Sequence, residues 1–325
     1  MMTEGPPESF DHTHRSRHGC LCCLSTDLQQ STQIVSGFLA ARAWGAAPEI
    51  TALSNCNTCG FRFFNRGLTD AEATRYYRDY RNADYVRERR RWEPFYTNAQ
   101  HSAQVEWSRS PTRTDALRAV LAQAQTPAHF AAVLDHGGNE GHMLAGISAQ
   151  RKAVFDPSGC KTLPTIQQYT NAAQLPHDWD LILSCQVLEH VSSPIRYLRS
   201  ISELLADSGW LYVEVPLETW RSARGTGNLR DRWLHLLLKF RALLIVADVL
   251  CTVSRIKLGR LPPFGFIAMR EHLNYFSVTA LTALLGRGNF HVVVSGINSA
   301  GQIFAVARKS NATILGTVGT SSVGS

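Results

Sequence analysis

The sequence has no uninterrupted apolar run of bilayer-spanning length. Its most apolar stretch, residues 233–253, is broken by Lys239, Arg241 and Asp248, charges that a spanning helix tolerates poorly. An apolar run is also missing from Met1–Asp11, so no secretory signal is expected. The chain has no internal repeat, which excludes a solenoid. Its basic excess, a formal net charge of +7 over 325 residues, is not gathered into one tail. Such a balance favours anionic partners without choosing among them. With 44% hydrophobic residues the chain buries a sizeable core, so wholesale disorder is excluded. Without a secretory signal, the expected location is the cytoplasm. In that reducing compartment the eight cysteines are thiols or metal ligands rather than disulfides.

The texture changes along the chain. Residues 1–17 read as a disordered leader and residues 18–66 as a small cysteine-bearing module. Residues 67–125 form a helical linker, opened by a Thr69/Glu72 capping box and carrying a second helix over residues 115–125. From residue 126 to residue 308 short apolar runs alternate with helical segments. The strand runs are Ala131–Leu134, Ala153–Phe155, Leu181–Leu183 and Trp210–Val215, with a helix over Ile195–Leu205. This alternation predicts an α/β domain with a doubly wound parallel sheet. His291–Val294 and Ile303–Ala307, joined by a Gly/Asn/Ser turn, predict a closing antiparallel hairpin. Residues 221–270 interrupt the alternation as a lid-like insertion, and residues 309–325 read as a flexible tail.

The cysteines are arranged for a metal. Cys20–Cys23 and Cys56–Cys59 are two C-x-x-C knuckles, and two knuckles supply the four thiolates of a tetrahedral site. Zinc is the expected ion. A four-cysteine shell has no open position, so its role is structural. Cys22 is a spare. Cys160, Cys185 and Cys251 are isolated and read as buried thiols, with Cys185 counted also among the cofactor-lining residues.

A nucleotide-type loop follows the first strand: Val133-Leu134-Asp135-His136-Gly137-Gly138-Asn139-Glu140-Gly141. It is expected to open a helix whose N-terminus offers free N–H groups. The next strand ends in Asp156, where a carboxylate can accept both hydroxyls of a ribose. The three-glycine dinucleotide pattern does not fit, because its second and third glycines would be Asn139 and His142.

These residues resemble the class I S-adenosylmethionine-dependent methyltransferases. The loop Asp135-x-Gly137-x-Asn139-x-Gly141, the acid Asp156, Asn171-Ala172 ahead of Leu175-Pro176, and Val187-Leu188-Glu189-His190-Val191 carry the resemblance over about residues 126–308. The cysteine module, the Tyr/Arg-rich helix after it and Glu271-His272-Leu273-Asn274-Tyr275-Phe276 are similar to methyltransferases of bacterial sugar and surface-polysaccharide pathways. The resemblance implies S-adenosylmethionine as cofactor, held by Asp135, Gly137, Gly138, Asn139, Gly141, Asp156, Asn171, Ala172 and Cys185. The sequence departs from the pattern at two positions. Asn139 replaces a glycine, although asparagine tolerates left-handed backbone. Asn171 replaces an acid expected to meet the adenine amino group, and its amide oxygen can still accept that hydrogen bond.

On the acceptor side the resemblance points to Glu271 and His272, with His190 at the end of the fourth strand. His272 is expected to be the base and Glu271 to orient it. Glu189 reads as structural, His136 as pocket lining, and the run Arg87–Arg91 as a solvated helix face or a phosphate clamp. The expected acceptor is a nucleotide-linked or lipid-linked sugar. No nucleic-acid partner is expected, and the insertion either lids the pocket or touches a membrane surface. The alternative activities are RNA methylation and binding of S-adenosylmethionine without turnover.

Overall fold

A computed structural model describes residues 12–310 apart from 17, 81 and 221–227. Most of the leader, most of the tail and the start of the insertion therefore lie outside the described residues. Twelve strands are described: β1 Leu28–Val35, β2 Ile50–Cys56, β3 Arg62–Phe64, β4 Phe130–His136, β5 Ala149–Phe155, β6 Gln167–Tyr169, β7 Trp179–Cys185, β8 Leu205–Pro216, β9 Ala268–Met269, β10 Asn274–Tyr275, β11 Phe290–Ile297 and β12 Gln302–Lys309. The helices are α1 Gly37–Leu39, α2 Asp70–Tyr77, α3 Ala83–Arg90, α4 Asn98–Ser108, α5 Pro111–Gln123, α6 Pro194–Leu204, α7 Asn228–Lys239, α8 Arg241–Leu258 and α9 Val278–Arg287. Among them, none is long and apolar enough to cross a membrane.

The larger sheet has seven strands in the order β11-β12-β8-β7-β4-β5-β6. The β4/β5, β4/β7, β5/β6 and β7/β8 pairs are parallel, and β12 runs antiparallel to both neighbours. The chain steps outward from β4 through β5 to β6, then returns to the other side of β4 as β7. That reversal opens a crevice at the carboxyl ends of β4 and β7, the place where parallel sheets bind ligands. One face packs under α6 and α9 through Leu198, Ile201, Leu281 and Leu284, and the other under α5 through Leu117 and Leu121. The α5 helix begins four residues earlier than the sequence suggests, because Ser110 caps it and Pro111 fits its first turn.

The smaller sheet, β10-β3-β2-β1-β9, corrects the picture of a self-contained N-terminal module. Its central strands come from residues 28–64, but β9 and β10, which flank Glu271 and His272, form its two edges. Residues 12–16 also depart from a disordered leader. Arg15 is buried, and its guanidinium donates to the carbonyls of Phe64 and Ser192 (both 2.9 Å) and to Oδ1 of Asn274 (2.5 Å). These four residues pin the module, the turn after β7 and β10 to one another. The capping box at Thr69 and Glu72 forms as its sequence implies.

Candidate functional site

Three constellations are assembled. In the first, Cys20 Sγ lies 3.6 Å from Cys59 Sγ and Cys23 Sγ lies 3.6 Å from Cys56 Sγ, and all four sulfurs are within 4.8 Å of one another. None is in a disulfide. Cys22 stands aside, its backbone N–H donating to Cys20 Sγ at 3.4 Å. The cluster packs on the large sheet's helices: Ser277 donates to the Cys59 carbonyl and Arg287 to those of Leu21 and Cys22. Of the isolated thiols, Cys185 and Cys251 are buried and Cys160 is partly exposed.

The second constellation lies at the carboxyl end of β4. Gly137, Asn139 and Gly141 all adopt left-handed backbone, with φ of 81°, 51° and 84°. Asparagine meets that demand at position 139, so the turn closes without the glycine. The Gly137 N–H donates to the Phe155 carbonyl (2.7 Å), and the Asn139 N–H donates to Oδ2 of Asp156 (3.0 Å). The loop and the β5 acid thus meet. Gly138 lies directly over Asp135: a Cβ there would sit 2.3 Å from the Asp135 carboxyl carbon. Asp135 is buried, and neither of its carboxylate oxygens has a hydrogen-bond partner. Burial pushes its carboxyl up to about 7, against the pull of the Arg113 guanidinium and with help from Asp156 and Glu214.

The expected helix after this loop does not form. Only the 3-10 turn His142–Gly146 separates the loop from β5, a span too short for an α-helix. The N–H groups of Gly137, Asn139 and Gly141 are taken up within the fold, by the Phe155 carbonyl, Asp156 and the Gly138 carbonyl, so no helix N-terminus stands at the loop. Asn171 and Ala172 lie further out, after β6, and both are exposed. The Asn171 Oδ1 accepts from the Ala173 N–H (3.0 Å), capping its own turn. His136 is partly buried at the end of β4 within hydrogen-bond distance of Tyr197 (3.1 Å), and desolvation lowers its imidazole to about 4, so it is neutral.

The third constellation is at the carboxyl end of β7. The ligand atoms of Glu189, His190 and His272 lie within 4.8 Å of one another. The Glu189 backbone carbonyl accepts from the N–H groups of Leu273 (2.7 Å) and Asn274 (3.0 Å), which brings the segment before β10 onto the turn after β7. The Nδ1–H of His190 donates to the Glu271 backbone carbonyl (2.9 Å). The Nδ1–H of His272 donates to Oε1 of Glu218 (2.7 Å), whose other oxygen holds Arg255 (2.5 Å). The side chain expected to orient His272 turns elsewhere. Glu271 accepts from Tyr76 OH and from Arg89 Nη2, both at 3.0 Å. The stronger cation and the deeper site sequester it, and Glu218 takes its place.

Charges here are shifted. His272 is pulled down by burial, but the hydrogen bond and charge of Glu218, with the charges of Glu189 and Glu271, push it up to about 9. Glu189 is fully buried and its two oxygens have no hydrogen-bond partner. Burial pushes its carboxyl up to about 7, offset in part by His272. Its nearest charged neighbour is His190, whose Nε2 lies 3.8 Å from Oε1. Arg89 departs from a solvated face. It is buried in an ion-pair chain that runs from Glu271 through Arg89 and Glu93 to Arg270 and Asp248. Glu218 was hidden in the sequence because its partner lies 54 residues away, and only the apolar strand before it hinted at a site. A second hidden pair, Arg113 with Glu214 (2.6 Å), is buried beside the crevice.

A cavity of about 530 Å³ opens beside Glu218, lined among others by Arg62, Trp220, Tyr275 and Ile303. The Arg62 guanidinium stacks 4.7 Å over the Trp220 ring.

A family model for a methyltransferase domain matches residues 106–295, more than half of the chain. No curated protein sequence matches it. Among solved structures, the 1,6-didemethyltoxoflavin-N1-methyltransferase of Burkholderia thailandensis is 16% identical, with 80% of this chain and 96% of that one covered and a TM-score of 0.43. The pyocyanin biosynthetic protein PhzM is 18% identical over 58% of this chain, TM-score 0.36, and the mitomycin 7-O-methyltransferase MmcR 18% over 55%, TM-score 0.33. The chain spans about half the length of these last two, 53% and 49%.

Proposed function

Since the chain belongs to the methyltransferase-domain family, we propose that it transfers a methyl group from S-adenosylmethionine to a hydroxyl of a nucleotide-linked or lipid-linked sugar in surface-glycan assembly. The observation that carries this reading is one crevice with a glycine loop and two acids at the end of β4 and β5, and a histidine–carboxylate cluster at the end of β7. The unpartnered Asp135 carboxylate supports a cofactor that brings cationic or hydrogen-bonding groups. Asp156 has spare lone pairs for ribose hydroxyls, and Cys185 closes the strand between the two clusters. Bound there, S-adenosylmethionine supplies a methyl group on a sulfonium centre that is already a good leaving group.

The protein then has to hold the acceptor in line and take one proton. His272, tethered by Glu218, presents Nε2 to the acceptor. An imidazole pushed to about 9 is protonated at neutral pH and cannot accept a proton in that state. It becomes a base when its proton sits on the neighbouring Glu189, whose carboxyl is poised near neutrality. S-adenosylmethionine would supply the methyl group to the acceptor oxygen, and the hydroxyl proton would pass to His272. Glu271 and His190 position this pair through the Glu271 carbonyl. Arg62 and Trp220, a cation and an aromatic face in a cavity of sugar-phosphate size, support the sugar acceptor. The four-thiol cluster supports one structural zinc ion that fixes the module against α9.

Calorimetric titration with S-adenosylmethionine, its demethylated product and NAD tests the cofactor. Binding of the first two is expected, and a preference for NAD overturns the reading.

A further inference from the structure

The insertion carries an apolar surface that the proposed reaction does not use. Helices α7 and α8 bury Leu234, Leu237, Leu244 and Cys251 in the core under the smaller sheet, together with Ile34 and Phe38. Their outer face is covered by nothing in the described residues. Of the large hydrophobic side chains that are exposed, ten lie between Leu229 and Phe264. On α8 they are spaced as one stripe: Leu243, Val246, Leu250 and Val253 fall at intervals of three and four residues, 36%, 56%, 61% and 48% exposed. Phe240 at 57% and Phe264 at 52% extend the patch beyond both ends of the helix.

The charges at the two ends of this stripe are cations. Lys239 precedes it, and Lys257 and Arg260 follow it, all exposed. The single acid of α8, Asp248, is buried on the opposite face and paired with Arg270 at 2.6 Å. A soluble surface seldom leaves so contiguous an apolar strip uncovered, so the strip calls for an occupant. A second copy fits poorly. Stripe against stripe, parallel or antiparallel, sets Lys239, Lys257 and Arg260 against the same cations of its twin. An anionic surface fits both features at once: the apolar stripe enters the acyl boundary and the flanking cations meet acidic headgroups. At 18 residues α8 is roughly 27 Å long, and it lacks the hydropathy to cross a membrane, so it lies in the plane.

We propose that the outer face of α8 docks the protein on an anionic lipid bilayer. The docking is independent of the chemistry at His272. Joined to the proposed activity it favours a lipid-linked over a nucleotide-linked sugar, because Arg255 on the inner side of the same helix holds Glu218, the partner of His272.

Flotation of the full chain with vesicles, without cofactor or acceptor, tests the proposal. Vesicles of phosphatidylcholine containing phosphatidylglycerol are expected to carry the protein, pure phosphatidylcholine far less, and high salt to release it. Val246→Asp/Leu250→Asp is expected to abolish binding. Lys257→Glu/Arg260→Glu is expected to weaken it by about tenfold or more. Both variants should keep the parent's circular dichroism and affinity for S-adenosylmethionine, which separates this test from that of the activity. Three results would overturn the proposal: a wild-type chain that stays with the aqueous phase, folded Val246→Asp/Leu250→Asp that floats like the parent, or a dimer in solution that this substitution dissociates.

Discussion

The Nδ1 of His272 lies 2.7 Å from Oε1 of Glu218, a residue 54 positions earlier and two past the end of β8. The two shift each other in opposite directions. Glu218 is raised by burial but driven down to about 2 by the hydrogen bond and charge of His272 and by Arg255, while His272 rises to about 9. The signs follow from linkage. The histidine's contribution to stability is full below its ordinary value of 6.5 and is lost as pH rises through about 9. The glutamate's is full above its ordinary 4.5 and is lost as pH falls through about 2.

Glu218→Gln is therefore expected to lower the denaturation midpoint at pH 6, with a cost of about 1–3 kcal/mol for one partner of a partly exposed, charge-assisted bond. The difference from the parent should shrink as both are taken above pH 9. Denaturant titrations at the two pH values measure it. An equal difference at both values would place the stabilisation elsewhere.

Turnover should rise with pH along a limb near 7, where Glu189 loses its proton and can receive the one from His272. Below that limb both members of the pair are protonated and no base is left. Glu189→Gln should remove the limb and lower the rate by about a hundredfold or more, while cofactor affinity changes little. A pH–rate profile with the limb intact in that variant would assign the titration to another group.

The two glutamates near His272 separate by experiment. Glu271→Gln breaks the bond to Arg89, which is buried in the chain from Glu271 to Asp248. It should destabilise the fold by about 3 kcal/mol. Glu218→Gln should cost no more stability than that and should in addition lower turnover, because it frees His272. The reverse pattern, with Glu271→Gln fully stable and inactive, would restore Glu271 as the orienting residue.

Purified chain is expected to carry about one zinc ion, and Cys56→Ser/Cys59→Ser to lose both the ion and the packing of Phe61 and Leu284 beside it. Elemental analysis with circular dichroism reads both. Metal-free protein with an intact fold would refute the site.

Local chemistry is what the sequence made legible. The alternation from residue 126, the glycine loop, Asp156, the capping box at Thr69 and the two cysteine knuckles all depend on neighbours a few residues apart. What stayed hidden depends on distant partners. Glu218 with His272, Arg89 with Glu271 and Arg113 with Glu214 are joined across 54, 182 and 101 residues, and no periodicity announces such a pair. The smaller sheet was missed for the same reason, since its edges β9 and β10 arrive after the insertion. The helix expected after the glycine loop failed on length, because β5 begins three residues after Gly146.

Asp156→Ala removes the acceptor that joins the loop to the ribose position. Affinity for S-adenosylmethionine should fall by about tenfold or more, with the fold retained. Calorimetry showing unchanged affinity would move the cofactor off the end of β5.

The most direct test of the whole account is transfer of label. Wild-type and His272→Ala protein are incubated with methyl-labelled S-adenosylmethionine and a cell extract separated into lipid-linked sugar, nucleotide-sugar, RNA and protein fractions. The account predicts that wild-type protein labels a sugar fraction. His272→Ala should lose that label while binding S-adenosylmethionine as tightly as the parent. Label in RNA, or a sugar label undiminished in His272→Ala, would contradict it.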